Sequence, residues 1–501
     1  MDEFEPQAHD KKGQATGIRP WVFALSLFAM AVIAVFATLF VTGKLETSTR
    51  GTGPSVSDVL KIPTSPNSQV PKGELAEIEK VYYYLTNGYV NKDITSQEIV
   101  NGALKGMADA VGDPYTTYMV NEETMQIDQT LTGSFGGIGA ELKSENGQVM
   151  ISTTMEGTPS RKVGLQTNDV ILKVDGNDMT GKTISEVVSV VRGPAGTDVV
   201  LTILRNMQEM EVTITRAEIA IVTVTGTVDD TDKTIGHVKI TSFSKNTADE
   251  LKTAVESLRQ QGVTSLIFDL RHNPGGLLDQ AIAISNMFLK DGDTILQIED
   301  RDGNIRSYKA SDQDYGDFKI TEPYILLVDE GSASASEILA GALQESVNAK
   351  ILGVTTYGKG TVQTVIPISD TSELKFTNAK WLTPDGNWIN EKGITPSIEV
   401  KLPDYAFVTI IDTRETVELG NVSDNVKNIE TMLKALGYDV TIDGYFDEGT
   451  KKAVEAYQAS KNLPVNGQID LATANALMDD IRELIVKNDT QYKAAVEELK
   501  K

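Results

Sequence analysis

The longest apolar run of the chain extends from 21 to 42 and contains no charged residue. About 20 consecutive apolar residues cross the hydrocarbon layer of a membrane as a helix, so this run predicts one membrane span. A cleaved secretory signal is the alternative, disfavoured because the run is long and no clear small-x-small site follows it. Lys11, Lys12 and Arg19 precede the run and favour a cytoplasmic tail at 1–20. We therefore expect a single-pass protein of the cell membrane whose larger part is extracytoplasmic.

The pattern after the span divides the chain into units. A stretch rich in Gly, Ser, Thr and Pro at 43–72 predicts a flexible stalk, and apolar residues at three-to-four spacing predict a helical subdomain at 73–115. Short β-rich runs with one helix occupy 116–218. From 219 to 403, strands alternate with helices, which is typical of an α/β core.

The last part of the chain returns to helical spacing. Residues 418–484 predict a small all-α module, and 485–501 predict a solvated helix or tail. The predicted fold class is therefore multidomain: an α/β core with N-terminal helices, an inserted small β domain with one helix, a small all-α C-terminal module and one N-terminal transmembrane helix.

Composition narrows the chemistry. The chain has 501 residues, 71 acidic against 46 basic side chains and a formal net charge of −25, which disfavours nucleic acid as a partner. It has no cysteine, which excludes disulfides, thiol nucleophiles and cysteine-zinc sites. Any nucleophile must be an oxygen or an amine.

A candidate nucleophile lies in the stretch VDEGSASASEILAGAL, where a buried strand turns into a helix. Ser334 stands on the bend, and the free N–H groups of the new helix, beginning with Ala335, could stabilise an oxyanion. Serine is also a common N-cap, and that structural interpretation is equally open here. Ser332 and Ser336 share the ambiguity.

A candidate base follows in GVTTYGKGTVQ. Strand spacing places Lys359, Thr361 and Gln363 on one face. Burial could lower the pKa of Lys359 from about 10.4 to about 7 to 8 at a cost of roughly 3 to 5 kcal/mol, so that it deprotonates a serine while Gln363 orients the amine. The alternatives are an ordinary surface lysine, and His272 as the base.

Two other site types are disfavoured. Gly353, Gly358 and Lys359 match the start of a phosphate-binding loop, but Gly360 stands where a metal-holding Ser or Thr is needed. A calcium loop beginning at Asp439 would have Thr450 in place of the bidentate glutamate. We expect no metal and no cofactor.

Four motifs together resemble the carboxyl-terminal processing proteases, serine endopeptidases of S41 type with a serine-lysine dyad. They are DLRHNPGGLLDQAI, VDEGSASASEILAGAL, GVTTYGKGTVQ and WLTPDGNWINEKGITPSIEV, and the similarity covers about 73–402. The resemblance implies Ser334 as nucleophile, Lys359 as general base and Gln363 as its orienter. It also implies an oxyanion hole formed by the Ala335 amide and by the amide of either Gly275 or Gly276. His272 departs from the Asn or Gly expected before NPGG, so its role stays open.

The β-rich unit resembles a PDZ domain through GSFGGIGAEL, GTPSRKVGLQTNDVILKVDG and VVSVVRGPAGTDVVLTILR. Alone, the first of these is an ordinary glycine-rich hairpin. The resemblance implies a site for an apolar C-terminus lined by Phe135, Gly137, Ile138 and Gly139. Binding of a substrate's free end would then deliver the chain to Ser334 or align the site.

The all-α module resembles the small three-helix peptidoglycan-binding domain through LGY, DGYFDEGT, AVEAYQ and LPVNG. A helical packing module is the alternative. The expected protein is thus an anchored serine-lysine endopeptidase that cleaves extracytoplasmic proteins recognised by their C-terminal tails. Its expected partners are those substrates and peptidoglycan, and a homo-oligomer stays open. The competing interpretations are a non-catalytic PDZ and wall-binding scaffold, and a serine hydrolase that uses His272.

Overall fold

The computed structural model describes residues 72–120, 123–124, 133–145 and 147–501. The span expected at 21–42, and nearly all of the expected stalk, lie outside the described residues. Within those ranges, no helix has both the length and the apolar character that a bilayer crossing requires.

Two helices begin the described chain, as the apolar spacing predicts: α1 (Lys72–Gly88) and α2 (Ser96–Asp109). Thr95 caps α2, because its hydroxyl accepts the Glu98 N–H while the Glu98 carboxylate accepts the Thr95 N–H. The chain then enters β1 (Thr117–Val120), which pairs antiparallel with a strand some 250 residues later in the sequence. The helical subdomain is thereby joined to the α/β core.

In its described residues, the inserted β domain contains eight strands and two helices. The strands are β2 (Ser134–Gly137), β3 (Ala140–Glu145), β4 (Gln148–Thr154), β5 (Val170–Val174), β6 (Asn177–Asp178), β7 (Asp198–Arg205), β8 (Gln208–Thr215) and β9 (Ala217–Ala220). The helices are α3 (Pro159–Lys162) and α4 (Ile184–Val191). The main sheet has the order β3-β4-β5-β7-β8 with β6 on β5, so β3 is an edge strand, and β2 pairs separately with β9. The buried side of this sheet packs on Val187 and Val191 of α4.

The α/β core is built on a six-stranded sheet of order β10-β11-β12-β15-β16-β19. Its strands are β10 (Val224–Val228), β11 (Ile235–Ile240), β12 (Ser265–Asp269), β15 (Tyr324–Val328), β16 (Ile351–Gly353) and β19 (Ile398–Glu399). β11 to β19 run parallel, and β10 is antiparallel to β11. The central strands β12 and β15 are apolar on both faces because both faces are covered.

Between β11 and β16 the chain forms four helices: α5 (Thr247–Gln260), α6 (Leu278–Asn286), α7 (Asp312–Tyr315) and α8 (Ala335–Val347). A second, antiparallel sheet contains β1 with β13 (Thr294–Asp300), β14 (Ile305–Lys309), β17 (Thr361–Ser369) and β18 (Ser372–Leu382). Its order is β1-β18-β13-β14, and β17 also pairs with β18. Since β18 carries β1 on one edge and β17 on the other, residues from the two ends of the core meet along one strand.

The C-terminal module is helical, as predicted, with a 3₁₀ turn (Asp404–Phe407), α9 (Asp424–Ala435), α10 (Glu448–Ser460) and α11 (Leu471–Lys487). It has its own core around Phe446 and Tyr457. Buried Glu430 accepts the N–H groups of Asp443 and Gly444, so the loop that resembles a calcium loop is closed by a carboxylate of the module itself.

The end of the chain differs from the solvated helix or tail expected at 485–501. Residues 485–487 complete α11, and a further helix, α12 (Thr490–Leu499), packs on the six-stranded sheet. Ala495 is fully buried against Ile267 and Leu352, and Tyr492 donates to Asp229 at 2.9 Å. The expectation of a helix is confirmed, but the expectation that it is solvated on all sides is wrong. α12 covers an apolar face of the sheet that would otherwise be in water.

Candidate active site

Ser334 lies on the turn between β15 and α8 with φ +55° and ψ −112°. A capping serine or threonine ordinarily has extended backbone angles, as Thr95, Thr183 and Ser423 do in this chain. A left-handed φ at a non-glycine residue is strained, and such strain concentrates at functional sites. The backbone of Ser334 therefore has the strained conformation of a sharp strand-to-helix turn rather than the extended conformation of the other caps.

The other two serines of the motif have structural roles. Ser332 and Ser336 are fully buried. The Ser332 hydroxyl donates to the Leu270 carbonyl at 2.8 Å, and the Ser336 hydroxyl donates to the Asn273 carbonyl at 2.9 Å. Both bonds fasten the Ser334 turn to the loop that follows β12.

That loop brings both predicted glycines to the turn. Gly275 has φ +97°, and a Cβ on it would lie 2.8 Å from both Ser334 Cβ and the Ala335 nitrogen. Gly276 has φ +148°, and a Cβ there would lie 2.1 Å from the Phe243 carbonyl oxygen. Only glycine fits either position.

The amide groups of the predicted oxyanion hole differ in their hydrogen bonds. The Gly275 N–H donates to Asn273 Oδ1 at 2.9 Å. Within the described ranges, neither the Ala335 N–H nor the Gly276 N–H takes part in a hydrogen bond. In this conformation the pair that is free to stabilise an oxyanion is Ala335 with Gly276.

Glu337 joins the two predicted catalytic segments. Its side chain is fully buried in the first turn of α8. Oε2 accepts the N–H groups of Ser334 and Lys359, both at 2.8 Å, and Oε1 accepts the Gly358 N–H and the Thr356 hydroxyl, both at 2.6 Å. One carboxylate therefore fixes the backbone of the serine to the backbone of the lysine, a role that the sequence analysis missed.

Lys359 is half-buried at the loop before β17, and its amine lies 4.5 Å from the centre of the Tyr115 ring. Burial, and then the positive charge of Lys375, lower the pKa of Lys359, while the carboxylates of Asp113 and Glu337 oppose that shift. The direction is the one a general base requires. No ion pair with the Lys359 amine is formed in the described part of the chain.

Gln363 follows Lys359 by four residues, on β17, and its side chain is bonded to two threonines. Its Nε2 donates to the hydroxyls of Thr361 at 2.9 Å and Thr377 at 3.1 Å. Among the described residues, no hydrogen bond joins the Lys359 amine to the Ser334 hydroxyl or to Gln363. The structure thus joins the Ser334 and Lys359 segments through Glu337, without the bonds of a reacting dyad.

His272 lies at the same loop with φ +60°. Its backbone N–H donates to Asp329 Oδ1, and its Nδ1 is 2.8 Å from Asp329 Oδ2. The ring is 74% exposed, and it makes no hydrogen bond to Ser334 in the described ranges. Contact with Asp329 orients the ring.

The glycine-rich loop of the β domain precedes the edge strand β3. Gly139 has φ +73°, and a Cβ on it would lie 2.3 Å from Thr158 Cβ. Ile138 is 3% exposed and belongs to the domain core. Contrary to the expectation, its side chain does not line a surface site. Phe135 is half-buried beneath the Arg192 guanidinium, 4.2 Å from the ring centre. An open edge beside a glycine loop is the arrangement in which a peptide adds as a further strand.

Comparison with known families agrees with this organisation. The profile of peptidase family S41 matches residues 234–400, the PDZ domain profile matches 150–205, and the peptidoglycan binding domain profile matches 422–477. The profile of the activating protease CtpB N-terminal domain matches 35–124.

Individual proteins also align with much of the chain. The chain is 38% identical over 475 residues to the carboxy-terminal processing protease CtpA of Bacillus subtilis, covering 94% of this chain and 97% of that protein. It is 37% identical over 433 residues to a "Probable CtpA-like serine protease" of Staphylococcus epidermidis, covering 86% of each. A solved structure, the photosystem II D1 C-terminal processing protease, aligns with 28% identity and a TM-score of 0.39, covering 66% of this chain and 94% of that one.

Proposed function

The chain belongs to peptidase family S41 as a relative of the carboxy-terminal processing proteases, and from that premise we propose how its site works and what it cleaves. It is a serine-type peptidase that carries a PDZ domain and a peptidoglycan-binding domain. The proposal is that Ser334 and Lys359 form a catalytic dyad that hydrolyses extracytoplasmic proteins recognised by their free C-terminal tails.

The observation that carries the dyad is the Glu337 carboxylate, which ties the strained serine turn to the loop of a partly dehydrated lysine. In the proposed reaction the neutral Lys359 amine takes the Ser334 proton as the hydroxyl attacks the scissile carbonyl. The Ala335 and Gly276 N–H groups stabilise the oxyanion. The lysine then returns the proton to the leaving amine, and water completes hydrolysis of the acyl-enzyme.

Because no bond joins the lysine amine to the serine hydroxyl here, the proposed reaction requires the amine to move. The Lys359 backbone is held on both sides: its N–H by Glu337, and its carbonyl by the Trp381 indole N–H at 2.7 Å. The movement is therefore assigned to the side chain. Gln363 would orient the amine once it has reached the serine, as the resemblance implies.

Selection of substrates is assigned to the PDZ domain. The edge strand β3 and the loop at Gly139 support addition of a substrate tail as an extra strand, with its terminal carboxylate at the loop. Backbone N–H groups of the loop that contains Gly139 would hold the carboxylate. We also assign peptidoglycan binding to the C-terminal module, and an extracytoplasmic position to the whole peptidase.

A pair of substrates tests the proposed selection. The same protein body is supplied with an apolar tail that ends in a free carboxylate, or with the same tail amidated. We expect the first to be cleaved at a lower KM, and both to be intact after incubation with Ser334→Ala. Equal KM values for the two tails would remove the assignment of the PDZ domain, and cleavage by Ser334→Ala would remove the assignment of the nucleophile.

A further inference from the structure

Tyr115 is contributed to the peptidase site from outside the S41 segment. It lies between α2 and β1, more than 200 residues before Lys359 in the sequence, and yet its ring faces the Lys359 amine at 4.5 Å. The strand register of the second, antiparallel sheet explains why Tyr115 and Lys359 lie close together. Thr117 of β1 pairs with Lys375 of β18, and Gln363 of β17 pairs with Thr377 of the same strand.

The loop that carries Tyr115 is firmly held. The Asp113 carboxylate accepts the Tyr115 N–H at 3.2 Å and the Thr116 hydroxyl at 2.6 Å. The Thr377 N–H donates to the Thr116 hydroxyl at 3.3 Å. The ring is therefore a fixed wall of the site, whereas the Lys359 side chain is its movable part.

The ring acts on the amine as a neutral aromatic face. Burial, with the 3.5 Å hydrogen bond to the Tyr357 hydroxyl, raises the pKa of Tyr115 to about 12, so the phenol does not serve as a base near neutral pH. An aromatic face attracts a cation and has little attraction for a neutral amine. The other charged groups around the amine are Asp113 and Glu337, which favour the cation, and Lys375, which disfavours it.

We propose that Tyr115 is a positioning residue that holds the protonated Lys359 amine away from Ser334 and releases it when the amine becomes neutral. The segment that joins the helical subdomain to β1 then contributes directly to the peptidase site. The protonation state of the Lys359 amine decides where that amine lies. This inference rests on the proposed serine-lysine dyad.

The test is the pH profile of kcat/KM for the full chain, with a protein substrate that ends in a free apolar tail. The acid limb of that profile reports the base of the free enzyme. Tyr115→Leu keeps apolar volume but removes the aromatic face, so the cation is less stable and the limb should move to lower pH by roughly half a unit to one unit. Tyr115→Phe keeps the face and should leave the limb in place.

Phe318→Leu is the matched control. It removes an aromatic face from Arg259, 5.0 Å away, at a distant part of the core, and should not move the limb. A limb position is independent of how much enzyme is folded, so partial misfolding of Tyr115→Leu does not obscure the result. An unshifted Tyr115→Leu profile overturns the inference, as does a Tyr115→Phe shift as large as that of Tyr115→Leu.

Lys359→Ala in the same assay separates this inference from its premise. If Lys359→Ala keeps wild-type activity, the dyad is wrong and the inference falls with it. If Lys359→Ala is inactive and Tyr115→Leu shows no shift, the dyad stands and only the role of Tyr115 is wrong.

Discussion

Glu337 accepts four hydrogen bonds through one buried carboxylate, and three of the donors are backbone N–H groups on the two catalytic segments. Each of the two carboxylate oxygens accepts two of these bonds, so both must be acceptors. An amide would place an NH₂ group opposite at least one of these donors. A hydrogen bond to a charged group contributes roughly 1.5 to 3 kcal/mol, and a misplacement of about 1 Å in a site can lower the rate a hundredfold.

We therefore predict that Glu337→Gln lowers kcat by roughly tenfold to a hundredfold and lowers the free energy of unfolding by about 1.5 to 3 kcal/mol. Steady-state kinetics and urea unfolding measure the two effects. Glu345→Gln is the control, because Glu345 is on the same helix and accepts the Asp385 N–H at 2.7 Å away from the site. Wild-type kinetics for Glu337→Gln would show that the Glu337 carboxylate does not hold the two segments in position for the reaction.

Lys359 gives a prediction with a defined sign. Its pKa in the folded protein is lowered by burial and by Lys375, so between that pKa and the usual value the unfolded chain binds more protons than the folded one. Burial of the lysine thus lowers the free energy of unfolding at neutral pH, and this penalty fades as the pH rises toward about 10.5.

Lys359→Met should abolish hydrolysis and increase the free energy of unfolding at pH 7, with a smaller gain near pH 10. Urea unfolding of both proteins at the two pH values measures the difference. A lower stability of Lys359→Met at pH 7, or the same gain at both pH values, would show that the amine carries no burial penalty.

At the same scale, the sequence reveals some residues of the site and not others. Ser334 and Lys359 are predictable because a strand-turn-helix pattern and a glycine-enclosed lysine are local features. Glu337 is visible only as a first-turn acid, the usual place for a residue that interacts with the helix dipole. Tyr115 gives no local signal, since only the pairing of β1 with β18 brings it to the amine.

Among the elements, the loop before β3 is the one to which we assign substrate selection. Gly139→Ala would strain a backbone at φ +73° and drive a Cβ into Thr158. We predict a higher KM for tail-bearing proteins, with unchanged hydrolysis of a short peptide that does not reach the PDZ domain.

Gly147→Ala is the control for that substitution. Gly147 has the same φ of +73° in the β3–β4 hairpin, but a Cβ there would meet no atom within 4 Å. It should reproduce the backbone strain without the change in KM. Equal KM values for both variants would show that strain, and not the shape of the loop, is responsible.

The helix α12 gives the second prediction at this scale. Ala495 is fully buried against the six-stranded sheet, and a charge introduced there would be buried without a partner. Ala495→Glu should lower the free energy of unfolding by several kcal/mol, on the order of 3 or more. Glu497→Lys, a charge change on the exposed side of the same helix, should change it by about 0.5 kcal/mol or less. Similar thermal unfolding of the two variants would contradict the packing of α12.

The sequence predicts α12 as a helix but not its contacts. Three of its ten residues are charged, and the apolar face that it covers is formed by strands more than 90 residues earlier. β1 illustrates the same limit: it falls inside the predicted boundary of 116–218 for the β domain, yet it pairs in the sheet of the α/β core. Local patterns identify elements, whereas pairing partners distant in the chain decide to which domain they belong.

Over the whole molecule, the chain leaves the peptidase core after β19, forms the C-terminal module and returns to the core through α12. Arg271 fixes the return, because its guanidinium donates both to Asp269 and to Asp489 just before α12. Arg271 also lies in the loop that carries Gly275 and Gly276, the glycines of the proposed oxyanion hole. The C-terminal module is thus connected to the peptidase core at both of its ends. A variant that lacks the module should therefore keep α12, which covers the sheet of the core.

The central claim is that Lys359, and not His272, activates Ser334. The most direct measurement is the rate at which a fluorophosphonate labels Ser334 in the full chain at pH 8, for wild type, Lys359→Ala and His272→Ala. We predict that Lys359→Ala slows labelling by roughly 10² to 10⁴-fold while His272→Ala labels at close to the wild-type rate. Labelling that is retained in Lys359→Ala and lost in His272→Ala, with both variants folded, would contradict the account.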